Sequence, residues 1–182
     1  IRNLTIASGK VKGNNYVGAS CGYNYGKLEN CENRVEINGY YYVGGMAGIG
    51  NKGSFINCVN RGYINITGRY GAGITGYTMN SATITGCANH GNVRTASQHA
   101  AGIVGYANPA IVTGCANYGA ITTTYNMGGI VSQLVDGSVT ACYNAGAPAS
   151  LYPAGNFLYG GGIVGTSAAG KPVSACYNTG NI

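Results

Sequence analysis

The sequence predicts an all-β fold, a parallel β-solenoid (β-helix) of about six coils with 27–29 residues each, and three observations predict it. A Cys-x-Asn-x-Gly element recurs along the chain. A Gly-Gly-Ile-like element sits between successive cysteines. An apolar residue stands three positions before each cysteine: Leu28, Phe55, Ile84, Val112, Val139 and Val173. No unit of this size can bury its own apolar face, so the units must stack.

The first element reads Cys58-Asn60-Gly62, Cys87-Asn89-Gly91, Cys115-Asn117-Gly119, Cys142-Asn144-Gly146 and Cys176-Asn178-Gly180. Cys31-Asn33 is a sixth copy with Val35 in the glycine place. The cysteines are 27, 29, 28, 27 and 34 residues apart. The second element reads Gly44-Gly45-Met46, Ala72-Gly73-Ile74, Ala101-Gly102-Ile103, Gly128-Gly129-Ile130 and Gly161-Gly162-Ile163. Gly, Asn, Thr and β-branched residues disfavour helix and suit short strands broken by turns. Three strands per coil are predicted: at Cys-x-Asn, at the β-branched residue that follows (Ile37, Ile64, Val93, Ile121), and at Gly-Gly-Ile. Coils about 4.8 Å apart make a rod on the order of 25–30 Å long. Right-handed coiling is expected from the general crossover preference.

Composition agrees with one solenoid segment over residues 1–182. The 33 glycines follow no Gly-X-Y period, which excludes collagen. Hydrophobic residues make up 45 %, too many for a disordered linker, and charged residues only 8 %. Net charge is +6, yet the only local cluster of bases is Lys10, Lys12 and Lys27, so nucleic acid is not an expected partner. No run of 18 apolar residues suggests membrane insertion, and no signal peptide is visible. The chain starts and stops inside its repeats, so further repeats or domains of the same chain are expected.

Segments such as Ala101-Gly102-Ile103-Val104-Gly105 followed by Ile111-Val112-Thr113-Gly114-Cys115 resemble the GLUG-motif repeats of bacterial surface and secreted proteins, as found beside Gram-positive IgA-cleaving metallopeptidase domains. The resemblance runs from Val17 to Ile182, with Ile in place of Leu and an added Asn after the cysteine. It implies an extracellular location, and it does not imply a catalytic site within the repeats.

Stacking turns each repeated position into a column. The column Cys31, Cys58, Cys87, Cys115, Cys142 and Cys176 is expected to hold buried, reduced thiols, because parallel neighbours have poor disulfide geometry. Cys21 reads as core. The column Asn33, Asn60, Asn89, Asn117, Asn144 and Asn178 is expected to form a hydrogen-bonded ladder, the following glycine supplying a positive φ.

Two columns are candidates for binding. One holds Arg34, Arg61, His90 and Tyr118; the other holds Tyr42, Tyr70, His99, Asn126 and Tyr159, with Tyr40, Tyr41 and Tyr125 nearby. Tyrosine suits sugar rings or protein surfaces; rings that stack on one another and shield the sheet are the alternative. The coil after Cys142 is longer than the rest, and its extra segment Pro148–Phe157, with Tyr152 and Phe157, is either a contact loop or a cover. The ligand-binding set is therefore Tyr42, Tyr70, His99, Tyr125, Tyr159, Tyr152 and Phe157.

Catalysis is not expected. Glu29, Glu32, Glu36 and Asp136 are the only acids, three of them in one coil beside Arg34. Neither a facing carboxyl pair nor a calcium cage follows from them. His90 and His99 lack a catalytic partner at suitable spacing, and no paired Cys-x-x-Cys suggests metal. No cofactor is expected. An adhesive segment that binds a glycan or a host or cell-surface protein, and a structural stalk, are the two functional expectations. A polysaccharide-active enzyme and an ice-binding Thr array are remote.

Overall fold

The computed structural model describes residues 1–96, 98–150 and 159–181, with only the backbone of Pro148–Ser150. It is a parallel β-solenoid without helices among the described residues. Each turn has four sides. One turn runs through Ser54–Ile56, Val59–Asn60, Ile64–Ile66 and Gly71–Ala72 before the chain enters the eleven-residue strand Thr75–Thr85. Each strand pairs in parallel with its equivalent one turn away. The four sides form a ten-stranded long sheet, a seven-stranded asparagine sheet, a six-stranded isoleucine sheet and a six-stranded glycine sheet.

Register holds like against like. Phe55 lies between Leu28 and Ile84, Asn60 between Asn33 and Asn89, and Ile64 between Ile37 and Val93. A one-residue slip would reverse the faces of every strand, so the alternation of apolar and polar residues pins this register. The longer coil keeps it too. Ile121 pairs with Pro148 and Asn126 with Tyr159, so the extra residues fall between two paired strands. Most of Pro148–Phe157, including Tyr152 and Phe157, lies outside the described residues.

Four expectations need correction. The stack makes about five turns rather than six. There are four strands per coil rather than three, because the apolar residue before each cysteine builds a side of its own. Gly-Gly-Ile is a corner rather than a strand: Gly73 and Ile74 bend between Ala72 and Thr75. The left-handed backbone falls on the residue before each cysteine of the column, with φ of 50° at Asn57, 63° at Gly86 and 53° at Ala141, and again at Tyr16, Tyr42 and Tyr70, and not on the glycine after the asparagine. The glycine after the asparagine is required by crowding instead. A Cβ on Gly91 would stand 2.0 Å from the Gly62 carbonyl oxygen one turn away.

The asparagines form the expected ladder. Each Nδ2 donates to the next Oδ1, at 2.7 Å from Asn33 to Asn60 and 2.8 Å from Asn60 to Asn89. The same nitrogen donates to the carbonyl two residues on, at 3.0 Å from Asn60 to Gly62. The amides are buried but paired, which removes the cost of burying a polar group.

The ladder crosses the interior onto the paired glycines and divides it in two. One apolar column holds Leu28, Phe55, Ile84, Val112 and the cysteines; the other holds Ile37, Ile64, Val93 and Ile121. Each fully buried Ile or Val contributes roughly 1.5–3 kcal/mol. The cysteines face inward in one column, Cys58 N donating to Cys87 Sγ at 3.4 Å, and all seven are free. Each of the six thiols in the column reaches a carbonyl, as Cys87 does to Phe55 and Thr85 at 3.5 Å.

Candidate functional site

Where the glycine sheet turns into the long sheet, the repeats place aromatic rings on both sides of the corner. Tyr16, Tyr42, Tyr70 and His99 form one column. Their centroids are 5.3, 5.4 and 5.0 Å apart and their planes within 13° of parallel. Tyr77 and Tyr106 stack at 5.0 Å in a second column and meet the first edge-on. Tyr70 meets Tyr106 at 5.2 Å and 79°. Stacked and edge-to-face pairs each contribute about 0.5–1.5 kcal/mol beyond burial.

This packing decides what the candidate rings can do. Both faces of Tyr42 are covered, by Tyr16 and Tyr70, and both faces of Tyr70, by Tyr42 and His99. Neither offers a face to a sugar. Burial, then the neighbouring phenols, raises the pKa of Tyr42 above its ordinary value, so its hydroxyl stays protonated. His99 is buried and is no surface contact. Its Nδ1 lies 3.4 Å from Ser132 Oγ, which itself donates to the Asn126 carbonyl at 3.0 Å. Burial, aided by Arg69, lowers the His99 pKa to about 4 and keeps the imidazole neutral. Tyr125 and Tyr159 are exposed.

A groove opens on the other side of the glycine sheet, at its corner with the isoleucine sheet. It has a volume of about 560 Å³ and is lined by Lys12, Asn14, Asn38, Tyr40, Asn65 and Thr67, with Gly13 and Gly39 in its wall. The sequence expectation missed it, apart from naming Tyr40 as a neighbour of the tyrosine column. Lys12, Asn38, Asn65 and Arg94 occupy one outward row of the isoleucine sheet, each in register with the next. The amides are ordered: Asn65 Nδ2 donates to Asn38 Oδ1 at 2.9 Å, and Asn38 Nδ2 donates to Glu36 at 2.8 Å. Tyr40 packs on Tyr41 with centroids 4.3 Å apart, and their hydroxyls' hydrogen bond raises the Tyr40 pKa. The repeated asparagine directly after Ile37 and Ile64 was the available signal in the sequence.

The other candidate column lies on the asparagine sheet and changes character along the stack. Arg34 and Arg61 both pair with Glu32, at 3.0 and 2.8 Å. Further along, His90 stacks on Tyr118 at 4.7 Å. The four carboxylates all sit in ion pairs: Glu29 with Arg2 and Lys27, Glu32 as above, Glu36 with Lys10, and Asp136 with Lys171. Hydrogen bonds and cations hold their pKa values below the ordinary range, led at Glu29 by the Lys27 hydrogen bond, at Glu32 by that of Arg34, at Glu36 by that of Asn38 and at Asp136 by that of Lys171. Among the described residues no three His, Cys, Asp or Glu are placed to hold a metal ion, and no helix is long and apolar enough to cross a membrane.

Fold and site define a repeat protein of the parallel β-solenoid class, with an aromatic corner and a polar groove on its flank. No family model matches the chain, and the searches of curated proteins and of solved structures also found no match.

Proposed function

We propose that this chain is a non-catalytic, extracellular binding segment of a bacterial surface or secreted protein, and that its ligand is a glycan. The observation that carries the reading is the groove: ordered amides, a hydroxyl and an exposed Tyr40 ring converge in a concave site. Amides pair with sugar hydroxyls, and a ring beside them covers the apolar face of a pyranose. The groove crosses three turns, about 10 Å along the axis, which suits a short stretch of a polysaccharide chain. The engagement of every carboxylate in an ion pair supports binding rather than hydrolysis. The resemblance to GLUG-motif repeats supports the extracellular location.

Calorimetry of the purified chain against a panel of oligosaccharides tests the reading. A micromolar to millimolar Kd is expected, as befits one shallow site. Tyr40→Ala and Asn65→Ala should each weaken binding about tenfold with the melt unchanged. Absence of saccharide binding, or variants that bind as the parent does, would overturn it.

A stalk is the second reading. The amide ladder and stacked rings run through successive turns, a construction that resists bending. Binding at the groove is the feature a stalk does not need.

A further inference from the structure

Four of the ten cations make no ion pair among the described residues: Lys12, Lys52, Arg69 and Arg94. One of these four lines the groove and two more lie beside its lining residues. Lys12 lines it. Arg94 ends the same row, with Nη1 3.5 Å from Asn65 Oδ1. Arg69 is close enough to Tyr40 to act on its phenol electrostatically. The nearest acid in the neighbouring row, Glu36, is already held by Lys10 at 3.0 Å and by Asn38.

The amide relay adds direction. It runs from Arg94 through Asn65 and Asn38 to Glu36, so the donors and acceptors that point along the sheet are used. Each Asn Nδ2 keeps one N–H for a ligand. Lys12 adds three donors and Arg94 the unused part of its fork, and neither brings an acceptor. The groove therefore has a surplus of donors and of positive charge that a neutral sugar, with balanced hydroxyls, does not fill.

We infer that the groove takes an acidic saccharide, its carboxylate or sulfate oxygens lying between Lys12 and Arg94 along the Asn38–Asn65 row. This rests on the glycan reading above and names the class of sugar. Charge-assisted bonds to an anion are roughly twice as strong as neutral ones. They also weaken as salt shortens the screening length from about 8 Å at physiological ionic strength to about 3 Å at 1 M.

The test uses the whole chain with three saccharide probes: a polygalacturonate oligomer for carboxylate, a carrageenan oligomer, which carries sulfate esters and no carboxylate, for sulfate, and a chitin oligomer as the neutral sugar. An acidic oligomer should bind at least about tenfold more tightly than the neutral one and lose that advantage at about 1 M salt. Lys12→Gln and Arg94→Gln should each weaken acidic binding several-fold more than they weaken neutral binding. Lys52→Gln, which lies away from the groove, should change neither, and thermal melts establish that all three variants fold. Which acidic oligomer binds separates carboxylate from sulfate. Equal binding of neutral and acidic oligomers, indifferent to Lys12→Gln, would overturn this inference and leave the glycan reading standing. Failure of all three oligomers would overturn both. Binding of a single-stranded oligonucleotide as tightly as the acidic sugars would overturn the saccharide assignment in favour of a general polyanion site.

Discussion

Gly73 lies directly against Asn89 of the following turn: a Cβ on Gly73 would stand 2.2 Å from Asn89 Cγ and 2.3 Å from the Gly102 carbonyl oxygen. The same contact recurs between Gly102 and Asn117, at 2.3 Å, and between Gly129 and Asn144, at 2.4 Å. The two sequence elements are thus halves of one packing unit. The amide ladder is held against a backbone wall in which side chains have no room. Gly73→Ala should therefore destabilise the fold by about 1–3 kcal/mol through overpacking. Gly26→Ala, whose added Cβ meets nothing within 4 Å, is the control and should change the urea midpoint little.

The thiols should all be free. Alkylation in denaturant without reductant should label seven cysteines by mass. In the native state the partly buried Cys21 and Cys176 should react first, and Cys31, Cys58, Cys87, Cys115 and Cys142 only as the solenoid opens. Burial also raises the Cys21 pKa, so even that thiol should react slowly at neutral pH. Any disulfide found in the native protein would contradict the column geometry.

Acid should weaken the fold in two stages. His99 titrates near its ordinary 6.5 in the unfolded chain but at about 4 in the native one. Between those values the unfolded chain binds a proton that the native chain does not, so stability falls as pH drops from about 6.5 towards about 4. The paired carboxylates act lower. Their native pKa values lie below the ordinary 4.5 of Glu and 3.8 of Asp, so their contribution is lost as pH falls further through them. Urea melts from pH 7 to pH 3 should show both stages in the parent. His99→Gln should lose most of the upper stage and keep the lower one; the remainder of the upper stage belongs to His90, whose pKa burial also lowers. An upper-stage slope as steep in His99→Gln as in the parent would refute the assignment.

Tyr70 should behave as a packing residue. It meets four rings, those of Tyr42, Tyr77, His99 and Tyr106. Tyr70→Ala should cost about 2–3 kcal/mol, less than the loss of a fully buried ring. The exposed Tyr125 makes no such stack among the described residues, and Tyr125→Ala should stay within about 0.5 kcal/mol of the parent. Thermal melts of the two variants separate the roles.

The residues by themselves determined the period, and with it which side chains share a column. Cys58 lies beside Cys87, and Asn60 hydrogen-bonds to Asn89, because parallel pairing brings equivalent positions of neighbouring repeats together. That relation is a spacing along the chain and can be read from it. The angles between the sides of a turn cannot. They arise from how Gly73 and Asn89 fit across the interior and from the left-handed residue before each cysteine of the column. Those angles set which columns meet at a corner. Tyr70 and Tyr106 meet there, so the tyrosine column is closed to a ligand although its spacing marked it as a stripe. Lys12, Asn38, Tyr40 and Asn65 surround a concave space only because two sheets bend apart beside them. Their chemistry was visible in the sequence, but the corner that makes them a site belongs to the packed cross-section.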